Sequence, residues 1–135
     1  MTTELGFTVD LNLPYDEALE RVTAALKTEG FGVLTKIDVK ATLKEKLGAD
    51  FRPYAILGAC NPPLAQRALT ADASVGIMLP CNVVVEATGE NAARVQLANP
   101  EVMMQAGALG ENADLRAVAQ EAKTRLTRVA EALRS

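Results

Sequence analysis

Arg52-Pro53-Tyr54-Ala55-Ile56-Leu57-Gly58-Ala59-Cys60-Asn61-Pro62-Pro63-Leu64 is the stretch on which the fold turns. Its first half is a short, nearly unbroken apolar run, the pattern of a buried strand from Pro53 to Ala59. Its second half starts a helix: Asn61 is a good N-cap, and the two prolines fit a first turn whose N–H groups have no intrahelical partner. Cys60 stands at the junction. A thiol before a helix N-terminus lies at the positive end of the dipole, which favours its thiolate form.

Working backwards, Gly6 to Leu13 alternates, with Phe7, Val9, Leu11 and Leu13 on one face, as in a strand with one wet side. Pro14 opens a helix bearing Asp16 and Glu17 in its first turn, and Gly30 closes it. Phe31 to Ile37 reads as a second strand. Asp38 then caps a short helix, Val39 to Leu47, with Leu43 and Leu47 turned inward. Working forwards, Pro62 to about Ala71 is helical, and Ala73 to Leu79 reads as a loop, a short strand or a helix tail. Asn82 to Ala87 and Ala92 to Ala98 form a hairpin. A short helical turn through Val102, Met103 and Met104 follows Asn99-Pro100. The last helix starts at Asn112 or Asp114 and carries the apolar stripe Leu115, Val118, Ala119, Ala122, Leu126, Val129, Ala130 and Leu133. The expected architecture is α+β, two-layered, with a mixed β-sheet of about five to six strands and helices packed on one face, in a single domain spanning residues 1–135.

Composition excludes several functions. With 49% hydrophobic and 23% charged residues, a 135-residue chain builds a core without metal or disulfide staples. Fourteen Lys and Arg against seventeen Asp and Glu give a net charge of −3 with the signs interspersed, and aromatics are few. That is the wrong surface for a phosphate backbone, so no nucleic-acid partner is expected. Residues 1–20 carry Glu4, Asp10, Asp16 and Glu17 and no basic residue, unlike a signal peptide, and no apolar run reaches the roughly 18 residues of a membrane span. The expectation is a cytoplasmic chain with reduced cysteines and no membrane partner.

The motifs Ile37-Asp38-Val39, Phe51-Arg52-Pro53-Tyr54, Leu57-Gly58-Ala59-Cys60-Asn61-Pro62 and Leu79-Pro80-Cys81-Asn82-Val83-Val84-Val85, in this order, resemble the family catalogued as domain of unknown function 302. The resemblance spans roughly residues 6–135 and implies a compact α+β fold, a mixed sheet and a tendency to dimerise. It implies no activity, because none is established for the family. Pro62-Pro63 departs from the pattern, in which a single proline precedes a helix-forming residue.

The candidate ligand-binding residues are Cys60, Asn61, Cys81, Arg52 and Asp38. Cys81 starts a strand as Cys60 ends one, so the two thiols meet if those strands are neighbours. The chain has no histidine, which excludes a Cys-His dyad and imidazole ligation, and no cysteine follows Cys60 at redox-motif spacing. Two thiols are an incomplete zinc site, and neither metal nor cofactor is expected. Pro62 and Pro63 remove two of the amides that would cradle a phosphate. Asp38 reads as a helix cap and Arg52 as an ion-pair residue; alternatively, Arg52 holds an acidic ligand near Cys60. The leading expectation is a domain that binds a small ligand or forms a homodimer, with the Cys60-Asn61 corner bordering a polar cleft and no catalysis demonstrable. The alternative is a thiol-dependent redox or thiol-transfer protein using Cys60, with or without Cys81.

Overall fold

The structure, a computed structural model, describes residues 5–135; Glu4, used above, lies outside them. The chain runs β1 (Gly6–Leu11), α1 (Tyr15–Thr28), β2 (Gly32–Asp38), α2 (Val39–Leu47), β3 (Tyr54–Cys60) and α3 (Pro62–Ala71). After a 3-10 turn (Ala73–Met78) come β4 (Cys81–Gly89), β5 (Ala92–Ala98), the short α4 (Pro100–Met103), a second 3-10 turn (Gly107–Glu111) and α5 (Ala113–Arg134). The ambiguous stretch after α3 is thus a 3-10 turn, started by the Asp72 side chain, which accepts from Ser74 N.

The α+β class and the five strands are as expected, but the sheet is antiparallel throughout rather than mixed. Its order is β1-β5-β4-β3-β2, and all four pairings are antiparallel. A mixed sheet needs at least one parallel pair, and none of the four pairings is parallel. Both α2 and α3 are excursions at the ends of long hairpins: each returns the chain to the strand next door, at the end from which it left. This places the exit of β3 beside the start of β4, with Ala59 opposite Cys81.

Strand alternation decides which face is covered. Phe7, Val9 and Leu11 of β1, Val95 and Leu97 of β5, Val83 and Val85 of β4, and Ala55, Leu57 and Ala59 of β3 are all buried. Against them pack Ala18, Val22 and Leu26 of α1 and Leu126, Val129, Ala130 and Leu133 of α5. The other sheet face carries polar pairs across neighbouring strands, such as Arg94–Asp10 at 2.8 Å. The buried strand expected at Pro53–Ala59 is fully buried on this face, while on the other Tyr54 and Ile56 are half-buried and only Gly58 is buried. Nor does α2 turn Leu43 and Leu47 inward. It buries no residue, and Leu47 is 74% exposed, because the helix lies beside the sheet margin without an opposing layer.

At about 1.5 Å per residue, α5 outreaches the sheet. Its C-terminal half lies on the strands. Its N-terminal half meets α3, the turn at 73–78 and the residues after β5 in a second cluster: Leu64, Ala68, Val75, Met104, Leu109, Leu115, Val118, Ala119 and Ala122. Between the two clusters lies the end of the sheet where β3 stops and β4 starts.

Candidate functional site

A cavity of about 320 Å³ occupies that seam. The sheet side contributes Phe31, Ala59, Cys60 and Cys81; the helices contribute Leu64, Ala68, Met104, Leu115 and Ala119 among others. The polar cleft expected at the Cys60-Asn61 corner is thus an apolar cavity. The reason lies in Asn61, whose polar atoms are already engaged. The Asn61 side chain is buried, its Oδ1 accepts from Leu64 N at 3.3 Å as the α3 cap, and its Nδ2 donates to Glu29 O at 3.2 Å. The same Glu29 carbonyl accepts from Arg125 Nη1 at 3.2 Å, so the ends of α1 and α3 and the middle of α5 are tied at one point.

Gly30 makes this knot possible. It ends α1 with φ +85°, Phe31 N bonds back to Leu26 O and Gly30 N to Lys27 O, and a Cβ there would stand 2.9 Å from Asn61 Nδ2. The helix terminator seen in the sequence is therefore also the space in which Asn61 lies.

Cys60 and Cys81 are free cysteines on adjacent strands, each half-buried as a residue, and both line the cavity. Burial pushes the Cys81 thiol up to about 11, and the charge of a Cys60 thiolate pushes in the same direction.

Arg52 and Asp38 are not part of this corner. They sit at the other end of β3, which spans about 20 Å at about 3.3 Å per residue. Arg52 Nε pairs with Glu86 Oε1 at 3.0 Å, and its guanidinium lies 4.6 Å from the Phe51 ring centroid and 5.6 Å from that of Tyr54. Asp38 caps α2, its Oδ1 accepting from Ala41 N at 2.9 Å. Both border an open depression with Tyr15 and Lys40, where burial first, then Asp38 and Asp16, raise the Tyr15 hydroxyl. Arg52 therefore does not stand beside Cys60.

Sequence reasoning missed the cavity wall: Phe31, Met104, Leu115 and the alanines. One signal was available. Ala65, Ala68, Ala119 and Ala122 put small side chains on both helices that face the seam, so a close approach of the two leaves volume unfilled.

A family profile described as "Domain of unknown function DUF302" matches residues 7–133. The chain belongs to the DUF302 family. A solved structure shares the fold of this DUF302 domain: an uncharacterized conserved protein DUF302 from Bacillus stearothermophilus, 32% identical, with a TM-score of 0.83 over 96% of this chain and 98% of the other. No curated protein matches the chain. Among the described residues, no helix is long and apolar enough to cross a membrane, and no group of three or more His, Cys, Asp or Glu is placed to hold a metal ion.

Proposed function

We propose that this domain is a cytoplasmic, non-catalytic binding protein whose ligand is a small apolar molecule held in the cavity at the Cys60 corner. The observation that carries the reading is the cavity itself. About 320 Å³ of space is bounded by apolar side chains where two cores meet. Ligand pockets begin at about 300 Å³, and engineered apolar cavities half that size take up benzene.

The test is a titration with an uncharged fluorescent probe such as N-phenyl-1-naphthylamine. One equivalent is expected to bind, and Ala119→Leu, which fills the cavity from α5, is expected to weaken binding by at least about tenfold without lowering thermal stability by more than about 1 kcal/mol. Equal binding by the variant would remove the cavity from consideration.

Homodimer formation has its own support. β2 is an edge strand, and Leu34 and Ile37 on it are 67% and 49% exposed. Two β2 strands paired antiparallel about Ile37 would place Lys36 of each copy opposite Asp38 of the other, a self-complementary arrangement. Light scattering is expected to give the mass of a dimer for the wild-type chain and of a monomer for Ile37→Lys. A wild-type monomer at micromolar concentration would end this reading.

A thiol-transfer role draws on Cys60 and Cys81 lining one cavity. With its thiol at about 11, Cys81 is about one part in a thousand thiolate at pH 8, so Cys60 would have to be the attacking group. Iodoacetamide at pH 8 is expected to label Cys60 first and Cys81 only on unfolding. If folded Cys60 reacts no faster than the denatured chain, the thiol-transfer reading falls.

A further inference from the structure

We propose that the ligand of the seam cavity is a single alkyl chain of about eight to twelve carbons whose head group stays in solvent, the chemistry of a monoacyl amphiphile. This rests on the apolar-ligand reading and names the class within it. Length, lining and mouth favour a chain over a compact or polar molecule.

On α5 the lining runs from Leu115 to Ala122 and on α3 from Leu64 to Leu69, stretches of about 10 Å and about 7 Å at about 1.5 Å per residue. Ala65 and Ala68 on one helix and Ala119 and Ala122 on the other keep both walls thin along this length. The space is therefore a slot: about 320 Å³ over about 10 Å leaves a cross-section of about 30 Å². An apolar cavity of about 150 Å³ takes up benzene, so this one has room for roughly twice as many carbons.

Among the described residues, no charged side chain lines the slot. Its one carboxamide, that of Asn61, is bonded to Leu64 N and Glu29 O. A charged or strongly polar head would lose its water inside and gain no partner, so it stays outside.

The mouth is apolar as well. Phe31, Met104 and Leu115 are buried and form the floor, whereas Leu34, Leu69 and Pro80 line the same cavity and are exposed. Leu34 reaches the rim through a bulge: the pairing of β2 with β3 shifts between Val33 and Thr35, and Leu34 is the extra residue. Two leucines thus stand in water at the opening, where the upper part of a chain would cover them. An apolar rim continuous with an apolar slot suits a chain that enters end-on.

The experiment is displacement of N-phenyl-1-naphthylamine by straight-chain carboxylates from hexanoate to tetradecanoate, each below its micelle concentration, with the alcohols of the same lengths in parallel. Affinity is expected to rise about fourfold per methylene and to level off between about eight and twelve carbons. A carboxylate and the alcohol of its length should bind within about threefold of each other, because a head in solvent contributes little. Leu69→Gln, at an exposed helix position, should weaken dodecanoate about threefold and leave hexanoate unchanged, since only a long chain reaches the rim. Adamantane-1-carboxylate, a compact cage, should bind at least about tenfold more weakly than decanoate. An affinity that does not grow with chain length, a carboxylate more than about tenfold apart from its alcohol, or a cage that binds as well as decanoate overturns the proposal. With the probe itself bound, such a result leaves the apolar-ligand reading standing; if the probe does not bind wild type, both fall.

Discussion

Gly58→Ala is expected to destabilise the fold by about 3 kcal/mol, the upper end of the range for forcing atoms into a packed site. Gly58 sits mid-strand in β3, between Thr35 of β2 and Asn82 of β4. Its backbone has no positive φ, so the demand for glycine is purely one of space. A Cβ would run into Thr35 Oγ1 and would lie 2.8 Å from Pro80 Cγ. The hydroxyl and the ring close over the strand from two sides, and neither is the tip of a long flexible chain. Relief is expected to be partial and specific. Thr35→Ala alone, at an exposed position, should change stability by less than about 0.5 kcal/mol. Combined with Gly58→Ala it should restore about half the loss, because the Pro80 contact remains. Chemical denaturation of the four proteins gives the coupling directly. A Gly58→Ala variant within about 0.5 kcal/mol of wild type would show that the two neighbours move aside freely.

What was legible in the sequence was local. The Asn61 cap, the prolines in the first turn of α3, the Asp38 cap and the end of α1 at Gly30 depend on residues within five positions of each other, and all stand as expected. The apolar stripe of α5 was equally readable, since a 3.6-residue period needs no partner to be seen. Strand direction was not, because a helix between two strands fits either a crossover or a long hairpin excursion, and only the sheet ladder decides. The proximity of Cys60 and Cys81 depends on that ladder, through the Ala59–Cys81 register. The character of the corner was hidden for a different reason. Asn61 looks polar in sequence, yet its carboxamide is engaged at both ends, by Leu64 in the helix it caps and by the distant Glu29 carbonyl, and only the first of these could be read locally. Leu43 and Leu47 show the reverse error: a helical pattern is present, but nothing is placed opposite to receive it.

Asn61→Ala should cost about 2–3 kcal/mol, from two separable losses. The first is the N-cap of α3, where the side chain accepts from Leu64 N; losing such a cap costs about 1 kcal/mol. The prolines sharpen this, since Pro62 and Pro63 have no N–H and the cap at Leu64 is what anchors the first turn. The second is the donation to Glu29 O, whose removal takes one of two side-chain donors from that carbonyl and leaves a gap in a site that is otherwise buried. Asn61→Ser separates the two. Serine keeps a capping oxygen and is too short to reach Glu29, so it should recover about 1 kcal/mol of the loss. Because Leu64 and Ala68 of α3 line the cavity, the same substitution should also reach the site. Amide exchange across Leu64–Ala68 is expected to speed up in Asn61→Ala by more than the global loss explains, and probe affinity to fall with it. Asn61→Ser should keep the exchange of Leu64 slow while leaving α1 less firmly tied at Glu29. If both variants lose the same stability, the cap contributes nothing, and the corner is held by the Glu29 link alone.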